Sequence, residues 1–243
     1  MKQEPSRRFE AAQSAFGRLK LTLKVKLRWY SWRFMVRSRT AIKRAFDLVA
    51  ASILLVLTSP IFLILALFIR RDGGPIFFKQ IRIGLLGTEF RMYKFRSMRI
   101  DAEAQLDALL AQNEKGEGIT FKMENDPRVT AVGKFIRRCS LDELPQLINV
   151  IKGEMSLVGP RPPVPREVAL YTQSDRWRLY IKPGITCLWQ VGERDGNFLE
   201  IGNRNEIDFA EQVGLDVRYI ENRSIWRDFW ILIKTIPALL FGK

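Results

Sequence analysis

Two adjacent acids, Asp142 and Glu143, stand in the segment RRCSLDELPQLINVIKGEMSLVGPRP, directly after Arg137 and Arg138 and upstream of Arg161. A carboxylate set among guanidinium groups and a divalent cation is held ionised and can attack phosphorus, while a neighbouring carboxylate holds Mg²⁺. Arg137, Arg138 and Arg161, the last within the rigid GPRPPVP, offer bidentate donors to a diphosphate, and a helix N-terminus favours the same anion. Local rules give a second account of the pair. Ser140 with Glu143 fits a capping box, and acids in a first helical turn are favoured by the helix dipole. Pro145 strains that account, because with Ser140 as the cap it falls past the first turn. A later cap places Pro145 inside the first turn and frees Glu143 to point elsewhere. On spacing alone both accounts stay open.

The inventory narrows the chemistry further. There is no histidine in the 243 residues, so a Ser-His-Asp triad, a Cys-His pair and a His-ligated zinc are excluded. Cys139 and Cys187 are too few for a disulfide scaffold and are expected to stay reduced. A hydrophobic fraction of 47% with 16 Phe and 6 Trp excludes a disordered chain.

The net charge of +14 is unevenly spread: residues 1 to 44 hold 13 Lys and Arg against 2 Glu, a local excess of +11. That excess stops where LVAASILLVLTSPIFLILALFI begins, 22 residues from Leu48 to Ile69 without a charge, nominally enough to cross a bilayer. The run lies too far from Met1 and is too long for a cleaved signal peptide. Ser59 and Pro60 interrupt its middle, where proline removes a helical hydrogen bond and favours a bend, and the hydroxyls of Thr58 and Ser59 are placed to serve the freed backbone. Lys43 and Arg44 precede the run and Arg70 and Arg71 follow it, so the positive-inside rule prefers one side for both ends. The expectation is a re-entrant helix-break-helix, with a plain kinked span as the alternative. Asp47 is read as an anchor for the start of that helix, paired with Arg44 or Lys43.

Residues 19 to 34, LKLTLKVKLRWYSWRF, alternate apolar and basic with period two, a strand period whose helical form would place charge almost all round, so the conformation is left open. The interleaved aromatics suit single-stranded nucleic acid or an anionic leaflet, and the adjacent apolar run favours the leaflet. Anionic membrane lipids are therefore expected as a partner and nucleic acid is not.

Beyond the run, DGGP marks a turn, and IFFKQIRIG and EFRMYKF read as a β-hairpin. Residues 101 to 112 have helical spacing. Further helices are expected from about 140 to 151, near 166 to 180, and from about 225 to 240, the last suited to a membrane surface or a core. The resulting fold class is α+β, mainly α-helical, a monotopic membrane protein with a Pro-broken re-entrant helix and a small hairpin. The expected organisation is a basic arm (1–42), a membrane segment (43–71) and a catalytic domain (72–243).

These segments together carry a resemblance. KRAFDLVAA, the TSP break, GGPIFFKQIRIG, YKFRSM, DPRVTAVGKFIRRCSLDELPQLINVIKGEMSLVGPRPPVP, KPGIT, LWQV, LDVRYIEN and ILIKTIPALL, from about Lys43 to Leu240, resemble the bacterial sugar transferase family of polyprenyl-phosphate phosphoglycosyltransferases. The resemblance implies a two-step displacement at the cytoplasmic face of the bacterial inner membrane, initiating exopolysaccharide, capsule or O-antigen assembly. Asp142 would attack the sugar-bearing phosphorus of a UDP-sugar, and polyprenyl (undecaprenyl) phosphate would then take the phosphosugar. By the same resemblance Glu143 would serve Mg²⁺, and Arg137 and Arg161 would contact phosphates. The matching arginine after LWQV would be Arg204, or alternatively Arg194. Cys187 stands where the family commonly has Gly. The spanning helices that larger members carry before the catalytic part are not in this sequence. A hexose is expected over an N-acetylated sugar, and an oligomer is left open.

Overall fold

The computed structural model describes residues 15–71, 73–102, 104–105, 126–191 and 207–241. The helix expected over 101–112 falls largely outside them, as do Arg194 and Arg204. The chain divides into two compact units, one ending at Ala45 and the other running from Phe46.

Helix α1, Ala15–Arg70, is continuous and carries Pro60 inside it. Period-two alternation in the arm thus yields to a helix, since straight-chain Leu, Lys and Arg favour helix once no neighbouring strand offers a ladder. Proline at position 60 cannot donate to the carbonyl four residues back, Val56 O. The Ser59 hydroxyl donates to that carbonyl at 2.7 Å, and Thr58 Oγ1 donates to Leu54 O at 2.7 Å. The helix-break-helix expected at Ser59–Pro60 is thus one helix with the proline inside it, because the neighbouring hydroxyls serve the backbone that the proline frees.

Within the second unit, one stripe of α1 is covered along its length. Asp47, Ala51, Leu65 and Ile69 are buried, and Leu55, Thr58 and Phe62 are half-buried between them, each three or four residues from the next. Ala51 joins the main core with Val150, Leu157 and Leu188, whereas Leu65 and Ile69 join a smaller cluster with Phe95 and Ile136. Both halves of the apolar run therefore pack on the same globular unit. The opposite face, including Ile53, Val56, Leu57, Leu63 and Leu67, is exposed.

Strands β1, Phe77–Ile83, and β2, Glu89–Phe95, form the expected antiparallel hairpin, registered from Phe77 opposite Phe95 to Ile83 opposite Glu89. Helix α2, Ala131–Arg138, follows and is capped by the Thr130 hydroxyl accepting from Gly133 N at 2.9 Å. A 3₁₀ turn, Leu141–Glu143, leads into α3, Gln146–Lys152. Strands β3, Ser156–Val158, and β4, Gly184–Thr186, make a short parallel pair. Between them lie α4, Pro165–Ala169, and a 3₁₀ turn, Asp175–Tyr180, where a single longer helical stretch was expected. Helix α5, Phe209–Glu221, and helix α6, Ile225–Phe241, complete the described chain.

Helix α6 buries Asp228, Ile231 and Ala238 and exposes Trp226, Phe229, Trp230, Ile233 and Ile236, so it is core on one face and apolar surface on the other. The Tyr219 hydroxyl donates to Asp228 Oδ1 at 2.6 Å and also lies 3.2 Å from Val158 O, tying α5, α6 and β3 together. Asp47 accepts from Leu157 N at 3.3 Å, so this carboxylate also fastens α1 to β3.

Candidate active site

Ser140 adopts a left-handed conformation (φ 52°, ψ 22°) and its side chain makes no capping bond. The capping-box account of Asp142 and Glu143 is therefore set aside. The cap does fall later, but on Pro145 itself, immediately before α3, and not ahead of it as the later-cap account has it. The reversal at Ser140 turns the 3₁₀ segment so that both carboxylates face strand β2.

Lys94 meets them there. Its Nζ donates to Glu143 Oε1 at 2.7 Å and lies 3.7 Å from Asp142 Oδ2. Strand β2 is also joined to α3, the helix that follows the dyad, by a fully buried neutral side chain, Asn149. Tyr93 N donates to its Oδ1 at 3.0 Å, and its Nδ2 donates to Arg91 O at 2.8 Å and to Glu154 Oε2 at 2.7 Å.

A second cation group comes from β1 and the GPRPPVP segment. Arg82 is buried; its Nη1 donates to Pro162 O at 2.8 Å, and Ile83 N donates to Pro163 O at 2.9 Å. Burial, and then the like charge of Arg161, pull the Arg82 guanidinium down to about 10. Arg161 and Arg82 both act on Glu143, and Arg137 at the end of α2 acts on Asp142. Arg138 is exposed at the same helix end and is not among the groups that shift either carboxyl. The structure thus brings together Asp142, Glu143, Arg137 and Arg161 and adds Lys94 and Arg82.

The two acids differ electrostatically. Burial raises the Asp142 carboxyl above the ordinary aspartate range, an effect that Lys94 and Arg137 oppose and Glu143 reinforces. The expectation that cationic neighbours hold this carboxyl low is reversed, because desolvation outweighs them. For Glu143 burial acts in the same raising sense, but the charge and hydrogen bond of Lys94, with Arg161 and Arg82 behind it, bring the carboxyl below its usual value.

Behind Arg161 lies a buried pair, Arg178 Nη2 to Asp216 Oδ2 at 2.5 Å, with Arg178 Nη1 also donating to the Tyr171 hydroxyl at 3.2 Å. Burial pushes Asp216 up to about 6. Cys187 is buried beside them, its thiol raised well above the ordinary range by burial, as suits an inert side chain; Cys139 is exposed.

Lys94 and Arg82 escaped the sequence reading for a physical reason. Alternation in KQIRI suggests isoleucines inward, yet Ile81 is half exposed while Arg82 is buried and donates to Gln80 Oε1 at 2.6 Å. A strand that turns its polar residues toward the core is the signal that marks such a site.

Residues 38–242 match the bacterial sugar transferase family, and the chain belongs to that family. It is 46% identical over 213 residues to the galactosyl transferase CpsE of Streptococcus agalactiae, covering 88% of this chain and 45% of that protein. It is 43% identical to the undecaprenyl-phosphate galactose phosphotransferase of Salmonella typhimurium, covering 84% of this chain and 41% of that protein. The exopolysaccharide production protein ExoY of Rhizobium meliloti is 42% identical, with 83% of this chain and 86% of ExoY covered. The chain therefore spans less than half the length of the first two relatives and most of the third.

Proposed function

We propose that this chain transfers a sugar-1-phosphate from a UDP-sugar to undecaprenyl phosphate, the first membrane step of exopolysaccharide assembly. The observation that carries the reading is the charge of the site: two carboxylates coupled to Lys94, Arg82, Arg137 and Arg161, cations suited to the oxygens of a diphosphate. Relatives named as undecaprenyl-phosphate galactose and glucose phosphotransferases support the class of donor and acceptor.

In the proposed sequence an Asp142 carboxylate oxygen attacks the sugar-bearing phosphorus. The bond from that phosphorus to the bridging oxygen breaks, and UMP leaves with the electron pair. A phosphate oxygen of undecaprenyl phosphate then attacks the same phosphorus, and the Asp142 carboxylate departs unchanged. Arg161 and Arg82 face the departing phosphate, Arg137 steadies the ionised Asp142, and Lys94 holds Glu143 in register beside it.

The donor set fits Mg²⁺, which binds through one or two carboxylates and takes its remaining ligands from water and substrate phosphates. Lys94 Nζ, a cation 2.7 Å from Glu143, already marks the place where positive charge is stabilised. Glu143 would hold the ion, which supplies charge neutralisation at the phosphates when bound.

In this reading the enzyme sits in the bacterial inner membrane with this site toward the cytoplasm. Covering of both halves of the apolar run by one globular unit supports a same-side arrangement of its ends, since a plain span would carry one of those halves across the bilayer. The exposed face of Phe46 to Arg70 then meets lipid, together with the aromatic face of α6.

The test incubates purified protein with undecaprenyl phosphate and a panel of UDP-sugars and measures UMP. Release that depends on Mg²⁺, and a phosphosugar adduct on Asp142 by mass spectrometry when the acceptor is withheld, are expected. Turnover retained by Asp142→Asn would overturn the assignment.

A further inference from the structure

The part of α1 from Ala15 to Arg37 precedes the residues that match the family. As a helix it no longer has an alternating face. At about 100° per residue its apolar side chains sort onto two stripes on opposite sides. One stripe is Phe16, Leu19, Leu23, Leu27, Tyr30 and Phe34; the other is Leu21, Val25, Trp29, Trp32 and Val36. Each advances by three or four residues, as a continuous helical stripe must. Between them Lys20, Lys24 and Arg28 form a ribbon on one side, and Lys26, Arg33 and Arg37 form one on the other. All of these side chains are exposed.

We propose that this helix lies on the surface of an anionic phospholipid bilayer through the stripe bearing Trp29 and Trp32, with both basic ribbons reaching lipid phosphates, one on each side of the helix. Three observations favour this occupant. The residues up to Arg44 carry 13 cationic side chains against 2 acids, which complements an anionic leaflet. Indole rings prefer the headgroup level, and the Arg33 guanidinium already lies over the Trp29 ring, 4.9 Å from its centre. The ribbons flank the tryptophan stripe on both sides, so lysine and arginine heads can rise to the phosphates without lifting the rings.

A second copy fits poorly. Pairing along the Phe16 to Phe34 stripe would set Lys20, Lys26, Arg33 and Arg37 against their own counterparts. Single-stranded nucleic acid also fits less well, because the tryptophans alternate with Leu and Val, which give bases no ring to stack on. The proposal uses nothing of the transfer reaction, and its failure would leave that reading untouched.

The experiment uses the full chain in lipid nanodiscs of phosphatidylcholine, with and without phosphatidylglycerol. Environment-sensitive probes are attached through Val25→Cys, Val36→Cys, Leu23→Cys or Lys24→Cys in a Cys139→Ser background. With phosphatidylglycerol present, brominated acyl chains are expected to quench the probes at positions 25 and 36 and to spare those at 23 and 24. That quenching is expected to be lost in phosphatidylcholine alone, and also when Lys20, Lys24, Lys26, Arg28, Arg33 and Arg37 are all changed to Gln, while the protein stays in the disc and its circular dichroism is unchanged. Quenching independent of phosphatidylglycerol, equal or inverted quenching of the two stripes, cross-linking between Leu23→Cys copies, or loss of lipid contact to an added oligonucleotide would each overturn the proposal.

Discussion

Adding a single methyl group at Gly184 tests how the candidate site is built. In the parallel pair, Gly184 packs backbone to backbone on Gly159, the glycine of GPRPPVP. A Cβ there would lie 2.6 Å from the Val158 carbonyl carbon and 2.7 Å from Gly159 Cα, and closer still to Gly159 N, where ordinary contact begins at 3.4 Å. For Gly184→Ala the two backbones must part by more than about 1 Å to relieve the closest of these contacts, an overpacking that costs about 1–3 kcal/mol. Opening also stretches Gly184 N to Pro160 O (2.9 Å) and Gly159 N to Thr186 O (3.0 Å). Each such bond is worth about 1 kcal/mol. A net loss of about 3 kcal/mol in a chain of this size lowers Tm by about 6–12 °C. Because Arg161 follows Gly159 by two residues, its guanidinium moves with the strand, and misplacement approaching 1 Å reduces turnover by about 10–100-fold. The comparison is Gly214→Ala: an added Cβ meets nothing within 4 Å on the exposed side of α5, and helix propensity raises stability by about 0.5–1 kcal/mol. Thermal unfolding and UMP release are measured for both. A Gly184→Ala protein with parental Tm and full UMP release would refute the claim that this glycine contact positions Arg161.

Lys94→Met leaves two neighbouring carboxylates without their shared cation and is expected to cost about 1.5–3 kcal/mol, read by thermal unfolding, with Lys94→Arg restoring part of it. Asp142→Asn is expected to raise Tm at neutral pH in EDTA while abolishing UMP release. The sign follows from the raised carboxyl: the folded state binds this proton more tightly, so its ionisation destabilises the fold as pH climbs through the shifted value, and the advantage of Asn fades as pH falls toward the ordinary aspartate range. At Ser140, with φ at 52°, glycine is expected to match or exceed the parent in Tm, whereas valine loses about 1–2 kcal/mol.

The hairpin and α6 were legible because turn signals and composition agree over whole elements, and Ser59 was legible because a proline orphans one specific carbonyl. The dyad was visible as a motif. What it faces was not, since Lys94 reaches it through a tertiary contact and Arg82 points inward against the alternation of its strand. The parallel pair escaped notice because three-residue strands have no readable period and their partners are far apart in sequence. The arm's conformation stayed open in the sequence because period two signals a strand only where another strand is available to pair with it, and the structure resolves it as helix.

Asn149 joins α3, the helix after the dyad, to the strand bearing Lys94 through an uncharged amide. Ionic strength and acidity weaken attractions between charges, yet they leave an amide's grip on backbone groups unaltered. The cations around the acids can thus be exchanged, titrated or loaded with ligand while the two amide-to-backbone bonds that fasten β2 to α3 are kept.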